Sequence, residues 1–179
     1  MPLAYRKVQR DELGLLATID RSEHIDGHYS VDEDGTLQLI DADFDVAGWY
    51  ASELDDYVAR LNSLHDAGGM VLGTWDAATL VALASLDVRP VTADDPVVLK
   101  LDMLYVSASY RHRGIGRQLV SQIADRARDL GATALYISAT PTRNTVEAYL
   151  DLGAVLAVPP DPHLLELEPD DIHLILPVV

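Results

Sequence analysis

Residues 99–130 read LKLDMLYVSASYRHRGIGRQLVSQIADRARDL, and the reading of this stretch decides the fold. Leu99, Leu101, Met103 and Tyr105 alternate with Lys100, Asp102, Leu104 and Val106, and the apolar content rises toward the end, as in a buried strand. Ser107, Ala108 and Ser109 turn the chain into Arg111-His112-Arg113-Gly114-Ile115-Gly116. Behind that loop an amphipathic helix sets Ile115, Leu119, Val120, Ile123, Ala124, Ala127 and Leu130 on one face, and Gly131 closes it as a left-handed cap.

A strand, a basic glycine-containing loop and a helix, in that order, suit an anion. The first helical amides have no partner inside the helix, the dipole leaves partial positive charge there, and two glycines let a ligand approach the backbone. A phosphate or pyrophosphate fits such a nest. Of thirteen basic residues in a chain of net charge −16, Arg111, Arg113, Arg117, Arg126 and Arg128 fall in this segment, which predicts a basic island on an acidic protein. The competing interpretation is a plain strand–turn–helix with a solvated basic face.

The dinucleotide fingerprint fails, because its third glycine would stand where Leu119 does. No Gly-Lys-Ser/Thr loop occurs. Arg111-x-x-Gly114-x-Gly116 after a strand ending Leu-Tyr-Val resembles instead the coenzyme A pyrophosphate loop of the GCN5-related N-acetyltransferases. Asn144-Thr145-Val146-Glu147-Ala148-Tyr149-Leu150-Asp151-Leu152-Gly153-Ala154 is similar to that family's second acyl-coenzyme A motif, so the likeness covers roughly Val97 to Ala154.

The resemblance implies an α/β fold with a mixed, mostly antiparallel central sheet flanked by helices. It implies acetyl transfer from acetyl-CoA, as co-substrate, to a primary amine of a small molecule or peptide, by direct attack in a ternary complex. Leu104, Tyr105, Val106, Arg111, His112, Arg113, Gly114, Ile115, Gly116, Arg117 and Asn144 are then expected at the cofactor. The central strand must diverge from the strand at Ala134–Ala139 to admit the pantetheine arm, leaving the Leu104 amide as a donor to the developing oxyanion.

An amine with a reference pKa of about 10.4 needs a base at neutral pH. Asp102 stands where relatives often carry a glutamate, with Glu23 as the competing carboxylate and an ion pair with Lys100 as the structural alternative. Tyr149, four residues before Gly153, matches a tyrosine taken as general acid for the leaving thiolate; its alternative is a core position beside Val146 and Leu152. For Asn144, helix capping is the alternative. The region after the first helix lines the acceptor side in this family, so Glu23, His24 and Tyr29 are expected at the substrate.

Composition sets the outer limits. The 179 residues are most simply one domain, 1–179, with 49% hydrophobic and 23% charged residues typical of a globular protein. No apolar run approaches the roughly 18 residues of a membrane span, and no signal pattern opens the chain. The absence of cysteine excludes disulfides and thiol nucleophiles and agrees with a cytoplasmic home. The acidic balance argues against nucleic acid and favours cationic ligands. No metal is expected: His24 and His28 are four apart, but Gly27 interrupts any helix between them. Neither Ser107 nor Ser109 has a recognisable histidine partner, so no covalent intermediate is expected.

In chain order, Leu3–Val8 reads as a strand and Asp11 as the cap of a helix running to Asp20. The polar stretch from Arg21, followed by Thr36–Ile40, reads as a loop with a small hairpin. Ser52 caps a helix to Ala67, ended by Gly68-Gly69; Met70–Trp75 and Leu80–Val88 are strands; Arg89–Pro96 is a loop. Ala134–Ala139 is a strand, Asn144 and Glu147 form a capping pair for a short helix, Ala154–Val158 is a strand, Pro159–Asp171 a loop, and Ile172–Leu176 a last strand. A non-catalytic acyl-CoA sensor and a phosphate-ligand enzyme unrelated to coenzyme A stay open as alternatives, as does the oligomeric state, a homodimer included.

Overall fold

The computed structural model describes residues 2–91 and 97–178. A seven-stranded sheet in the order β1-β4-β5-β6-β7-β9-β8 forms the centre: β1 is Ala4–Lys7, β4 Met70–Asp76, β5 Thr79–Asp87, β6 Val98–Val106, β7 Ala134–Ala139, β8 Val155–Leu156 and β9 Ile172–Pro177. Among the described residues only β6 and β7 pair in parallel, joined by the crossover helix α2, Ile115–Asp129; every other pairing there is antiparallel. The expected mixed, mostly antiparallel sheet is the one observed.

β5 is nearly continuous in apolar residues because both its faces are covered. On one face Ala82, Ala84, Leu86, Leu99 and Leu101 meet Ile115, Leu119, Val120 and Ile123 of α2. On the other, Leu80, Leu83 and Met103 meet Leu61 and Leu64 of α1, Ala51–Asp66, and Leu13 and Leu16 of the 3-10 helix Arg10–Thr18.

One feature of β6 departs from the regular alternation expected. Ser85 stands opposite Met103 while Leu86 stands opposite Leu101, so Asp102 is an extra residue without a partner on β5. This is a β-bulge, which re-aims the strand beyond it. Before it, Leu99 and Leu101 face α2; after it, Leu104 and Val106 do, while Met103 and Tyr105 face α1.

Several local expectations need correction. The 3-10 helix is capped by Gln9, whose amide donates to Glu12 at 2.9 Å, rather than by Asp11. The N-cap of α1 is Tyr50, without a side-chain bond, rather than Ser52. The loop with a small hairpin expected after Arg21 is instead one long two-stranded ribbon of β2, Glu23–Val31, and β3, Leu37–Val46. The helix α3, Arg143–Leu150, starts at the Thr142 cap, so Asn144 lies inside its first turn. The strand expected at Ala154–Val158 shrinks to β8. The loop expected at Pro159–Asp171 contains a further helix, α4, Pro162–Leu167, whose Asp161 cap accepts from the Leu164 amide at 2.9 Å. Of the loop 89–96, residues 92–96 lie outside the described residues. No helix is long and apolar enough to cross a membrane, among the described residues.

Candidate active site

The crossover pair opens into a gap. β6 and β7 are in register only at Val98↔Ala134, Leu99↔Leu135 and Lys100↔Tyr136. Beyond Lys100, β6 stays on β5 as far as Val106 while β7 stays on β9, so the facing edges separate. The polarity of the exposed edge follows from one bond. The Ser107 amide donates to Val81 O at 2.8 Å, on the β5 side. Alternation along the strand therefore turns the N–H and C=O of Leu104 and Val106 toward the gap. The Val106 carbonyl is taken by Arg111 Nε at 3.0 Å.

At the mouth of this gap the chain builds the expected nest. His112 (φ 58°) and Gly114 (φ 77°) are both left-handed, and α2 starts directly after Gly114 with no side-chain cap on its first amides. His112 bears the strain of that conformation, roughly 1–2 kcal/mol for a residue with a Cβ. A Cβ on Gly116 would sit 3.8 Å from Val106 and 3.9 Å from Leu104, so this residue lies against the end of β6.

The arginines divide the work. Arg111 bonds Val106 O and, through Nη1, Ser22 O at 3.0 Å, so its guanidinium braces the backbone. Arg113 donates to Ser109 O at 2.7 Å with its guanidinium 5.1 Å from the centre of the Tyr110 ring. Arg117 reaches Asp151 O at 3.5 Å. Arg126 and Arg128 sit in the last turn of α2, about 16–20 Å along the helix from its start. The single basic island expected from sequence is thus split between the two ends of the helix.

The ribbon strand β2 crosses the mouth of the gap. Behind it, Asp20 accepts from the Ala108 amide at 2.8 Å and donates to Ser107 Oγ at 3.0 Å, at the end of β6. Ahead, the Tyr29 amide donates to Pro141 O at 2.7 Å and the Tyr29 hydroxyl to Glu147 at 3.1 Å, at the end of β7 and on α3. Between them, Asn144 Nδ2 donates to Glu23 Oε1 at 2.9 Å. Two residues expected on opposite sides of the reaction, Asn144 and Glu23, are brought together. His24 is not part of this group: it bonds Asp45 at 2.8 Å on the outer face of the ribbon, and that bond raises its pKa.

Asp102 is placed in an ion network. Its side chain is 5% exposed, and its oxygens accept from Arg60 Nε at 3.0 and 2.9 Å and from Nη2 at 2.5 Å, with Lys100 Nζ at 3.6 Å. Arg60 also reaches Glu168 at 3.1 Å, and Lys100 bonds Glu168 at 2.8 Å. Sequence reasoning paired Asp102 with Lys100 and missed Arg60 and Glu168. The network lines one wall of a cleft of about 650 Å³ between α1, the start of β6 and α4. Tyr149 projects from α3 into the core at 6% exposure, and burial drives its hydroxyl pKa well above the ordinary tyrosine value. Among the described residues no group of three or more His, Asp or Glu converges as metal ligands do.

Filling the left-handed position should separate the nest from overall folding. Gly114→Val is expected to cost about 1–2 kcal/mol of stability. It should weaken the coenzyme A binding that the sequence resemblance implies at least tenfold, by turning the first helical amides away; calorimetric titration beside a melting curve reads both.

Comparison with known proteins agrees with this geometry. The acetyltransferase (GNAT) family model matches residues 33–154. No curated protein matches the chain. Among solved structures, nourseothricin acetyltransferase superposes with a TM-score of 0.72 at 17% identity, covering 100% of each chain. The PaiA N-acetyltransferase from Thermoplasma acidophilum, solved with coenzyme A, gives 0.64 at 14% identity over 99% of each chain. The ribosomal-protein-S18-alanine N-acetyltransferase from Escherichia coli gives 0.62 at 14% identity, covering 99% of this chain and 94% of that one. With the family model spanning more than half its length, the chain belongs to the GNAT family of acetyltransferases.

Proposed function

We propose that the protein transfers an acetyl group from acetyl-CoA to a primary amine, by direct attack within a ternary complex. The observation that carries this reading is the gap between β6 and β7, with the Leu104 backbone turned into it and the 112–116 nest at its mouth. Leu104 and Val106 offer strand edge to an amide-bearing arm, Tyr105 continues that backbone, and the amides from Ile115 to Arg117 receive a diphosphate. The bound thioester supplies the acyl group.

Each residue then has a stated task. The Leu104 N–H donates to the carbonyl oxygen that gathers charge as the amine attacks. Tyr149, held protonated by burial, donates to the departing sulfur. The amine's proton leaves through water, because Asp102 is clamped by Arg60 and Glu23 already accepts from Asn144. Tyr29 and Glu23 border the acceptor's approach, and no covalent enzyme intermediate is used.

The engagement of both carboxylates favours one second reading, an acyl-CoA-binding sensor without turnover. A single pair of measurements separates the two. Acetyl-CoA at one hundred times its Kd should stabilise the fold by about 2.7 kcal/mol, a rise of roughly 5–11 °C for a chain of this size. Free thiol should then appear when amines, amino acids, polyamines and aminoglycosides are screened. Stabilisation without thiol release from any acceptor establishes the sensor; no stabilisation at millimolar acetyl-CoA removes both.

A further inference from the structure

Next to Leu104, on the α1 face of the sheet, stands a group of side chains that the acyl-CoA site does not use. Trp49, Tyr57 and Tyr105 meet edge to face, with ring centres 5.6 Å (Trp49–Tyr57), 4.9 Å (Trp49–Tyr105) and 6.0 Å (Tyr57–Tyr105) apart. Trp49 is fixed by its Nε1–H bond to Ile19 O at 2.7 Å. Glu53, one α-helical turn before Tyr57, lies at the edge of the group. Three aromatic rings and a carboxylate form a box for an organic cation.

The box already holds one. The Arg21 guanidinium lies 4.9 Å from the centre of the Trp49 ring and 6.0 Å from that of Tyr105, and donates to Glu53 Oε1 at 2.7 Å. Its occupancy is incomplete: among the described residues Glu53 Oε2 is buried and has no hydrogen-bond partner. A buried carboxylate oxygen left unbonded is costly, and a ligand N–H would relieve it. The Arg21 backbone is tethered on both sides, by Asp20 to Ser107 and Ala108 and by Ser22 to Arg111, so its side chain can leave without moving the ribbon.

We propose that this box is the acceptor's anchoring site, that it takes a second positive charge on the acceptor, and that Arg21 occupies it until the acceptor displaces it. The inference rests on the transferase reading above and adds the substrate class. The nitrogen that attacks must be neutral, whereas aromatic faces and a carboxylate stabilise the charged form. The box therefore holds a basic group other than the reacting one, and the acceptor carries at least two: a diamine, a polyamine or a similarly dibasic molecule. The net charge of −16 favours the approach of such a molecule.

The test is a calorimetric titration of 1,5-diaminopentane into the coenzyme A-loaded protein, with 1-aminopentane as the single-charge comparison. Wild type should bind the diamine at least tenfold more tightly than the monoamine. Arg21→Gln should tighten the diamine about tenfold, Arg21→Lys should return it to the wild-type value by refilling the box, and Glu53→Gln should weaken it about tenfold. Arg21 acting only as structural support would lower the melting temperature of Arg21→Gln without raising affinity, and that overturns the proposal. Equal affinities across the three variants and wild type also overturn it. Coenzyme A binding, measured first on the same samples, keeps the two readings apart. Its loss removes the transferase together with the box, whereas intact coenzyme A binding with unmoved diamine affinities removes the box alone.

Discussion

Tyr149→Phe should reduce turnover by about a hundredfold, the lower end of what a positioned general acid contributes, while leaving the melting temperature nearly unchanged. The two halves of this expectation come from separate observations. Tyr149 packs with Val146 in the core formed by α2, β7 and β9, and phenylalanine preserves that packing. The hydroxyl has no hydrogen-bond partner among the described residues, so its deletion leaves no orphaned donor or acceptor behind. Burial is the main cause of its raised pKa, with the charge of Asp171 adding to it. A raised value keeps the phenol protonated throughout the range in which an amine becomes nucleophilic. The sign is fixed: an acid's contribution disappears as pH rises through its pKa, so the alkaline fall in wild-type turnover should lie above about pH 10, the ordinary tyrosine value. In Tyr149→Phe that fall should vanish. Single-turnover thiol release across pH measures both. Unchanged turnover would confine Tyr149 to its packing role and leave the thiolate to depart unprotonated.

What could be read from the chain follows from how local each signal is. The strand, loop and helix of residues 99–130 and the strand β7 were legible because their apolar periods lie within one element. The bulge at Asp102 was not: Met103 and Leu104 are both apolar, the alternation reads straight through them, and the slip is set by pairing with Ser85 and Leu86 on β5. The ribbon reads from sequence as a loop with only a small hairpin because Asp41, Asp43 and Asp45 give β3 a wetted face on which strand and loop compositions look alike. Its order comes from bonds to Pro141, Asn144 and Glu147, more than a hundred positions away in sequence. Helix α4 was legible and missed: Asp161-Pro162 is an N-cap followed by a proline at the first helical position. In the site, Gly114 and Gly116 carry a local signal, but the cation that clamps Asp102 comes from α1, and the carboxylate that shares it comes from the segment after α4. Spacing on α1 does place Glu53, Tyr57 and Arg60 along one stripe, three and four residues apart. That stripe was the available hint that α1 carries a charged and aromatic face.

Removing Arg60 should cost more stability than neutralising Asp102 within the same network. Two cations, Arg60 and Lys100, balance two carboxylates, Asp102 and Glu168, and the exposures of these side chains are 36%, 9%, 5% and 21% in that order. Arg60→Met keeps the apolar stem and leaves the buried Asp102 and the partly buried Glu168 sharing Lys100. Breaking a buried pair from one side costs about 3–5 kcal/mol, and the partial exposure of Arg60 argues for the lower end. About 3 kcal/mol corresponds to a melting temperature lower by roughly 6–12 °C in a chain of this length. Asp102→Asn should cost less, because Arg60 and Lys100 both keep Glu168. Combining Arg60→Met with Asp102→Leu should recover much of the loss, since no carboxylate is then stranded on Arg60's side of the network. Acid titration gives an independent check. Burial pushes the Glu168 carboxyl up, but the hydrogen bond from Lys100 and the charges of Lys100 and Arg60 outweigh it, so the folded pKa lies below the usual glutamate value. A depressed carboxylate stabilises the fold above its unfolded pKa of about 4.3 and loses that contribution as pH falls through the folded value. Arg60→Met should move acid unfolding to higher pH, because one of the charges holding Glu168 ionised is gone. A melting temperature less affected than that of Asp102→Asn, with acid unfolding unmoved, would mean that water already screens the Arg60 pair, and Asp102 would then be free to accept the acceptor's proton.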